Sequence, residues 1–477
     1  DVAFEKSQMQ KHNVSFTNGG EQGNYYLSLT YLDNNGIVKG DVDVYKRLTA
    51  TINSEYEIKP WLKVGTTNQI EKYNIRNVSM NNEYGSLLTS ILQLDPLTPD
   101  TYAADKLPAH MQTALNNGKH LLKNENGDYY AVSKYYAGEQ FHPMIMRDNN
   151  IGKNSGFNVN GSIYSDFKPI KDFTFTSRFG YRLSGTRQSS TDLPFYGNST
   201  QSRDYVSLNA RSTTSIYYQW ENFANYTKSF GQHTVTGMVG MSYQESTNDN
   251  VYGSLSANSE DAIKKNDPLF YYLNYGSASA TKGVAGEKIR SAKLSYFGRV
   301  GYDWKGRYLA EVNLRWDASS RFRRDKRAAV FPSVSAGWRV SEEPFFAPIR
   351  NTFSNFKIRG SFGSLGNQAI SSPYPYIQTL DLLQQNYLVN GEFLTYASVS
   401  APTAGNFTWE TVVHGNLGLD LGFFNNRLTF AGDLYIRDTK DMLVPGKTLP
   451  GVYGAASPKE NAADLRSRSS SSNCCPS

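Results

Sequence analysis

Hydrophobic and polar residues alternate along this chain with a period of two. Between Phe173 and Leu183 the residues Phe173, Phe175, Phe179, Tyr181 and Leu183 fall on one side, and Thr174, Thr176, Arg178 and Arg182 on the other. That spacing predicts a strand with one apolar and one wet face. Residues 10–18 and 24–33 predict a first pair, with Tyr25, Leu27, Leu29 and Tyr31 opposed to Ser28 and Thr30. Residues 44–58 set Leu48, Ala50, Ile52, Tyr56 and Ile58 against Arg47, Thr49, Thr51, Asn53, Glu55 and Glu57. Charge at every second position fits a strand that lines a water-filled interior.

The connections come in two kinds. Tight ones are expected at 59–61, 168–172, 229–232, 305–306 and 424–427, each beside aromatics: Trp61, Phe167, Phe173, Phe230, Trp304, Tyr308, Phe423 and Phe424. Long ones cover about 74–155, 188–211, 247–290, 319–330 and 365–408. Loops of that length argue against strands in a soluble domain. They are ordinary on the extracellular side of an outer-membrane barrel, whose periplasmic turns are short and ringed with aromatics. The expected fold is therefore all-β, an antiparallel transmembrane β-barrel wall of about fourteen strands. The first long loop predicts a short helix after Pro108, with Met111 and Leu115 on one face. The segment 342–355 lies on the short-turn side and predicts a structured turn around Pro344, Phe345, Phe346 and Pro348.

Composition supports the same picture. Hydrophobic residues make up 39% of 477 and mean hydropathy is -0.53, thin for one large soluble core, yet aromatics reach 13% with 33 Tyr and 25 Phe. A barrel explains both, because its outer face is apolar, its lumen polar and its rims aromatic. No apolar run approaches the roughly 18–20 residues of a membrane helix. The net charge of +6 is spread along the chain, and no nucleic-acid-binding module accompanies it. The start at Asp1 is read as the mark of a processed or truncated chain. The cysteines are the adjacent Cys474 and Cys475, which cannot frame a fold.

Candidate chemistry is sparse. His12, His110, His120, His142, His233 and His414 show no metal-ligand spacing. Gly360, Gly363 and Gly366 imitate a phosphate loop but follow a strand and open no helix. No nucleophile, base or cofactor fingerprint emerges, so the chain does not read as an enzyme. Loop aromatics and amides are the candidate ligand contacts: Tyr196 and Asn198 after residue 188, and Asn367, Gln368, Tyr374 and Tyr376 after residue 365. Rings stack on sugar faces and amides read hydroxyls. Arg321, Arg323, Arg324, Lys326 and Arg327 form a basic run suited to lipopolysaccharide phosphates.

Residues 313–346 read NLRWDASSRFRRDKRAAVFPSVSAGWRVSEEPFF. This stretch resembles the SusC/RagA family of TonB-dependent outer-membrane transporters of Bacteroidetes, with its R-x-D-G-S-S-x-F, F-P-S-x-S-x-G-W-R and E-x-F-F signatures. The matching residues are Arg315, Asp317, Ser319, Ser320, Phe322, Phe331, Pro332, Ser333, Ser335, Gly337, Trp338, Arg339, Glu343, Phe345 and Phe346, while Ala318 departs from the usual Gly. Gly19–Gly20, Gly36–Val38, Lys357–Gly363, Gly366–Gln368, Gly418–Asp420 and Asn461–Arg466 extend the likeness in family order.

The resemblance implies residues 1–466 as part of a barrel of about 22 strands. It leaves 467–477 as a Ser-rich tail outside the family pattern, expected to be disordered or foreign to the family. It implies import of oligosaccharides or other large nutrients such as peptides, with a SusD-like lipoprotein lid and energy from TonB-ExbB-ExbD. The cell outer membrane is the implied location. A structural or adhesive barrel binding extracellular ligands, or a passive porin, are the alternatives. Because an unpaired strand edge in lipid is costly, a partial barrel is expected to be an open wall whose first and last strands do not pair.

Overall fold

The computed structural model describes residues 3–76, 86–135, 138, 141–259, 263, 271–370, 374–384, 387–405 and 407–476. Its main feature is one antiparallel sheet of fifteen strands. They are β1 (Gln8–Gly20), β2 (Gly23–Asn35), β3 (Val44–Lys59), β4 (Leu62–Arg76), β5 (Asn150–Phe167), β6 (Phe173–Asp192), β7 (Ser207–Phe230) and β8 (His233–Ser256). They continue as β9 (Thr281–Trp304), β10 (Tyr308–Ser319), β11 (Ala328–Arg339), β12 (Phe353–Asn367), β13 (Glu410–Phe423), β14 (Leu428–Pro445) and β15 (Lys459–Pro476). Each pairs with its neighbours in chain order, and β1 and β15 are the two edges. The expected open wall is what the sheet forms.

Register decides which way each side chain points, because a pleated strand alternates faces and paired residues share one. Phe179 of β6 pairs with Ile163 of β5 and Trp220 of β7, while Arg178 pairs with Tyr164 and Glu221. The first set belongs to an apolar face that is open to the surroundings: Phe179 is 43% exposed, Val239 66% and Val300 58%. So much uncovered apolar area has no place in water but is the normal outer surface of a membrane barrel. No helix among the described residues is long and apolar enough to cross a membrane.

The short turns use the backbone conformations that tight hairpins demand. Gly231 has φ 61°, Lys305 and Gly306 have 56° and 64°, and Phe424, Asn425 and Asn426 have 51°, 59° and 61°. Aromatics crowd these turns. Trp61 meets Phe167 edge-on at 5.5 Å, and Trp304, Tyr308 and Trp338 stack in series at 5.5 and 6.3 Å.

The fifteenth strand and the true loop lengths correct the expectations from sequence. The polar segments 247–256 and 281–290 continue β8 and β9, so the loop between them is shorter than expected. Above the membrane both faces of a strand are wet, and alternation disappears while backbone pairing persists. The Ser-rich tail, toward the short-turn end, also pairs. Instead of being disordered, Ser467–Pro476 extends β15 and pairs with Leu428–Arg437 of β14. Its backbone groups are satisfied by the neighbouring strand although its side chains follow no pattern.

Four small apolar clusters sit outside the sheet plane. One joins Val38, Leu87, Tyr130, Met144, Ile145 and Phe195. It packs α1 (Leu87–Leu92) and α3 (Pro143–Asp148) of the first long loop against the loop after β6. The expected helix is α2 (Ala109–Asn116), entered through Pro108 with Met111 fully buried.

Candidate functional site

The inner face of the wall is built from hydroxyls, amides and charges, several of them held in pairs. Lys63 Nζ lies 2.7 Å from Glu55, which also accepts a 2.7 Å bond from the Tyr164 hydroxyl. Tyr164 reaches Glu55 by lying across Gly65, where a Cβ would come within 2.3 Å of the ring. Asn158 donates to Glu71 at 2.8 Å, and Arg47 stands 3.6 Å from the same carboxylate. Arg359 bridges Asp433, at 2.7 and 2.8 Å, and Asp420, at 3.1 Å, and it too passes over a glycine, Gly418. Arg182 donates to Asn160 at 3.2 Å, and the Arg178 guanidinium sits 5.7 Å from the Tyr164 ring. A concavity of about 400 Å³ toward the short-turn end is lined by Thr236, Asp303, Glu311, Ser335, Lys357 and Arg359.

At the other end the 313–346 motif organises the mouth. Arg315 donates to Asp317 at 2.8 and 3.0 Å and to Ser295 at 2.8 Å. Ser320 continues the pairing of β10 with β9 past Ser319, accepting from the Ala292 amide at 2.8 Å and donating its own amide to Ala292 O at 2.9 Å. Phe322 is fully buried against Phe407 and Trp409, with Phe331 completing the cluster. The second half of the motif works at the short-turn end. Glu343 accepts from Tyr308 at 2.7 Å and from the Trp338 indole at 3.2 Å. The Tyr308 hydroxyl, with the Trp338 indole and Arg307 behind it, holds this carboxyl below its ordinary pKa against partial desolvation. The turn after it consists of two 3-10 segments, Val340–Glu342 and Pro344–Ile349, the latter packing Phe346 on Phe353 and Phe356.

The candidate ligand contacts divide on inspection. Asn198 is buried, its Oδ1 accepting from the Thr200 and Gln201 amides and its Nδ2 donating to Gly138 O, so it orders its own loop. Tyr196 packs on the Met111, Leu121 and Val132 cluster. Asn367 bonds Glu410 at 2.7 Å. The Tyr374 hydroxyl meets both the amide and the carbonyl of Arg290, at 3.0 and 3.1 Å, covering part of the free edge of β9 above the end of β10. Tyr376 donates to Ser320 O at 3.3 Å. Gln368 differs, because its Oε1 is buried with no hydrogen-bond partner.

The basic run also divides. Arg321 donates to Ile370 O, Arg323 pairs with Asp325 at 3.3 Å and Arg327 turns its Nε inside, leaving Arg324 and Lys326 exposed with no described ion pair. In the first loop His142, almost wholly buried, lies 2.9 Å from Asp100, and burial pushes its pKa below the ordinary histidine value. None of these loop contacts had a signal in the sequence beyond residue type. Tyr164 over Gly65 had none at all, and Trp338 and Glu343 stood out as motif residues without their contact being legible.

Set beside known proteins, residues 112–469 match the family model described as TonB dependent receptor-like, beta-barrel. The TonB-dependent receptor SusC of Bacteroides thetaiotaomicron is 28% identical over 480 residues, covering 98% of this chain and 44% of that protein. The TonB-dependent receptor P39 of Formosa agariphila is 27% identical over 467 residues, covering 96% of this chain and 39% of the relative. Among solved structures, the RagAB peptide transporter superposes with a TM-score of 0.76 at 24% identity, covering 99% of this chain and 49% of that one. The fold is thus that of a TonB-dependent receptor barrel, a class of outer-membrane β-barrel proteins. The chain belongs to this family, on its SusC/RagA-like branch, and spans less than half the length of these relatives.

Proposed function

We propose that this chain is a large part of the barrel wall of a SusC-like importer in the outer membrane. It moves oligosaccharides or peptides with energy from TonB and a SusD-like lipoprotein as lid. The observation that carries the reading is the lumen face. Several of its charges are tied strand to strand, as in Arg359 with Asp420 and Asp433, and between them lie hydroxyls and amides such as Asn158, Asn160, Tyr217 and Gln219. Such a surface offers hydrogen-bonding groups to polar solutes and to a polar plug. SusC itself is a TonB-dependent receptor, and RagAB is a peptide transporter. At the mouth Gln368 is the residue we assign to ligand, because its buried acceptor is unsatisfied. Tyr374 and Tyr376 hold the loop that carries it.

The test is uptake by cells expressing the full-length receptor, with and without TonB. Uptake should disappear when TonB is deleted, and uptake that persists would identify a passive porin. Mass spectrometry of the complex purified from its native membrane should find a co-purifying lipoprotein and a glycan or peptide ligand.

A further inference from the structure

Several outward charges toward the extracellular end of the wall are neutralised in place. Lys46 pairs with Asp33 at 3.2 Å, Arg290 with Glu245 at 2.6 Å, Lys288 with Asp249 at 3.2 Å and Arg466 with Asp438 at 2.6 Å. Strands β4, β5 and β6 gather outward cations without such partners. The register places Lys72 beside Leu48 and Phe157, Lys153 beside Ser189, and Arg187 beside Ser155 and Ser212, all on the outward side. Arg76 joins them, following Ile75, which pairs with Asn154. No Asp or Glu occupies an outward position of these three strands; Glu71, Asp166 and Asp192 all point inward. Lys72, Lys153 and Arg187 are exposed, and among the described residues no carboxylate lies within ion-pair distance of them.

Their height is as telling as their sign. Lys72 stands ten residues above Leu62, and Lys153 and Arg187 each stand fourteen residues above the aromatic short-turn ends at Phe167 and Phe173. At about 3.3 Å per residue and a tilt of about 40°, Lys72 lies about 25 Å, and Lys153 and Arg187 about 35 Å, above that belt. The apolar band of an outer-membrane barrel is about 25 Å tall. Outward residues below these cations include the apolar Ile70, Phe157, Ile163, Phe179 and Leu183, with Thr66, Asn68, Ser165 and Ser177 among them. The cations therefore begin where hydrocarbon ends and headgroups start.

We infer that the outward ends of β4–β6 form a binding site for the phosphates of an outer-leaflet lipid, with Lys72, Lys153 and Arg187 as its donors. Three adjacent strands set the cations at two depths, a spacing that suits a headgroup bearing more than one phosphate, and Arg187 offers a bidentate fork. In the basic run of the mouth loop, in contrast, Arg321 and Arg323 are engaged by Ile370 O and Asp325.

The test uses the full-length receptor, purified in mild detergent and examined by native mass spectrometry with lipopolysaccharide. The wild type should retain lipopolysaccharide, and the variant K72Q/K153Q/R187Q should retain at least tenfold less while keeping its heat-dependent gel mobility. Dephosphorylated lipopolysaccharide should bind the wild type as poorly as intact lipopolysaccharide binds the variant. Millimolar inorganic phosphate should not compete. Equal retention by wild type and variant overturns the site. Full competition by inorganic phosphate overturns its assignment to a lipid. If the glutamine variant does not assemble, K153Q/R187Q, which alters only positions above the apolar band, should show the same direction of loss, and unchanged retention by it overturns the inference.

Discussion

Replacing Phe322 with alanine removes the centre of the aromatic cluster that closes the mouth. Phe322 is wholly buried, with ring centroids 5.1 Å from Trp409 and 5.9 Å from Phe407, and Trp409 lies 5.7 Å from Phe331. Truncating a buried phenylalanine to alanine costs about 3 to 5 kcal/mol, the lost transfer energy plus the cavity left behind. Most of that loss falls on loop docking, because two of the three partners, Phe407 and Trp409, precede β13 in the long loop that crosses the mouth. At about 1.4 kcal/mol per tenfold, the undocked population rises at least about 100-fold. Hydrogen exchange of the full-length receptor reads this directly. The Ser319 amide, bonded to Arg327 O at 3.0 Å, and the Lys326 amide, bonded to Arg323 O at 2.9 Å, should lose protection. Amides in β3–β6 should keep theirs, and Phe322→Leu should lose much less. Unchanged exchange over 319–327 in Phe322→Ala would refute the claim that the cluster docks the loop. Equal loss throughout the wall would show that it supports the whole sheet.

Three further outcomes follow from named contacts. Gly65→Ala places a methyl within 2.3 Å of the Tyr164 ring and should cost about 1 to 3 kcal/mol in urea unfolding, part of which Tyr164→Ser should restore in the double variant. Glu343 is held below the ordinary carboxylate pKa chiefly by the Tyr308 hydroxyl, so the stability it adds is present above the unfolded value and is lost as pH falls through the lower folded one. Trp fluorescence should therefore change between about pH 5 and pH 3 in the wild type, and this transition should be missing in Glu343→Gln. His142 is buried in its uncharged form, so the first loop is most stable above the ordinary histidine pKa and loosens as pH falls below it. Proteolysis within 86–135 should quicken between about pH 7 and pH 5 and become pH-independent in His142→Asn.

The wall was legible in the sequence wherever lipid forces alternation, as in Phe173–Leu183 and Leu48–Ile58. It faded where water wets both faces, which is why Asn248–Asn250 and Lys288–Arg290 read as loop. It vanished in Ser469–Ser472, where backbone pairing with β14 suffices. Site residues were legible only as types. Whether an asparagine is free or consumed depends on partners far along the chain, and Asn198 is consumed by Gly138 O, 60 residues away. The same holds for charge. Arg290 finds Glu245 45 residues earlier, and Lys153 finds no described carboxylate, a difference that emerges only from register.

Every functional statement rests on that register, and a cysteine scan of β6 tests it most directly. In a full-length receptor with Cys474 and Cys475 replaced by serine, single spin-labelled cysteines at Phe175, Phe179 and Leu183 should collide with oxygen dissolved in the bilayer. Cysteines at Thr174, Arg178 and Arg182 should collide with a water-soluble nickel chelate. Alternation with a period of two, residue by residue, is the predicted result. Equal accessibility to both reagents along the strand would contradict the assignment of lipid to one face and lumen to the other.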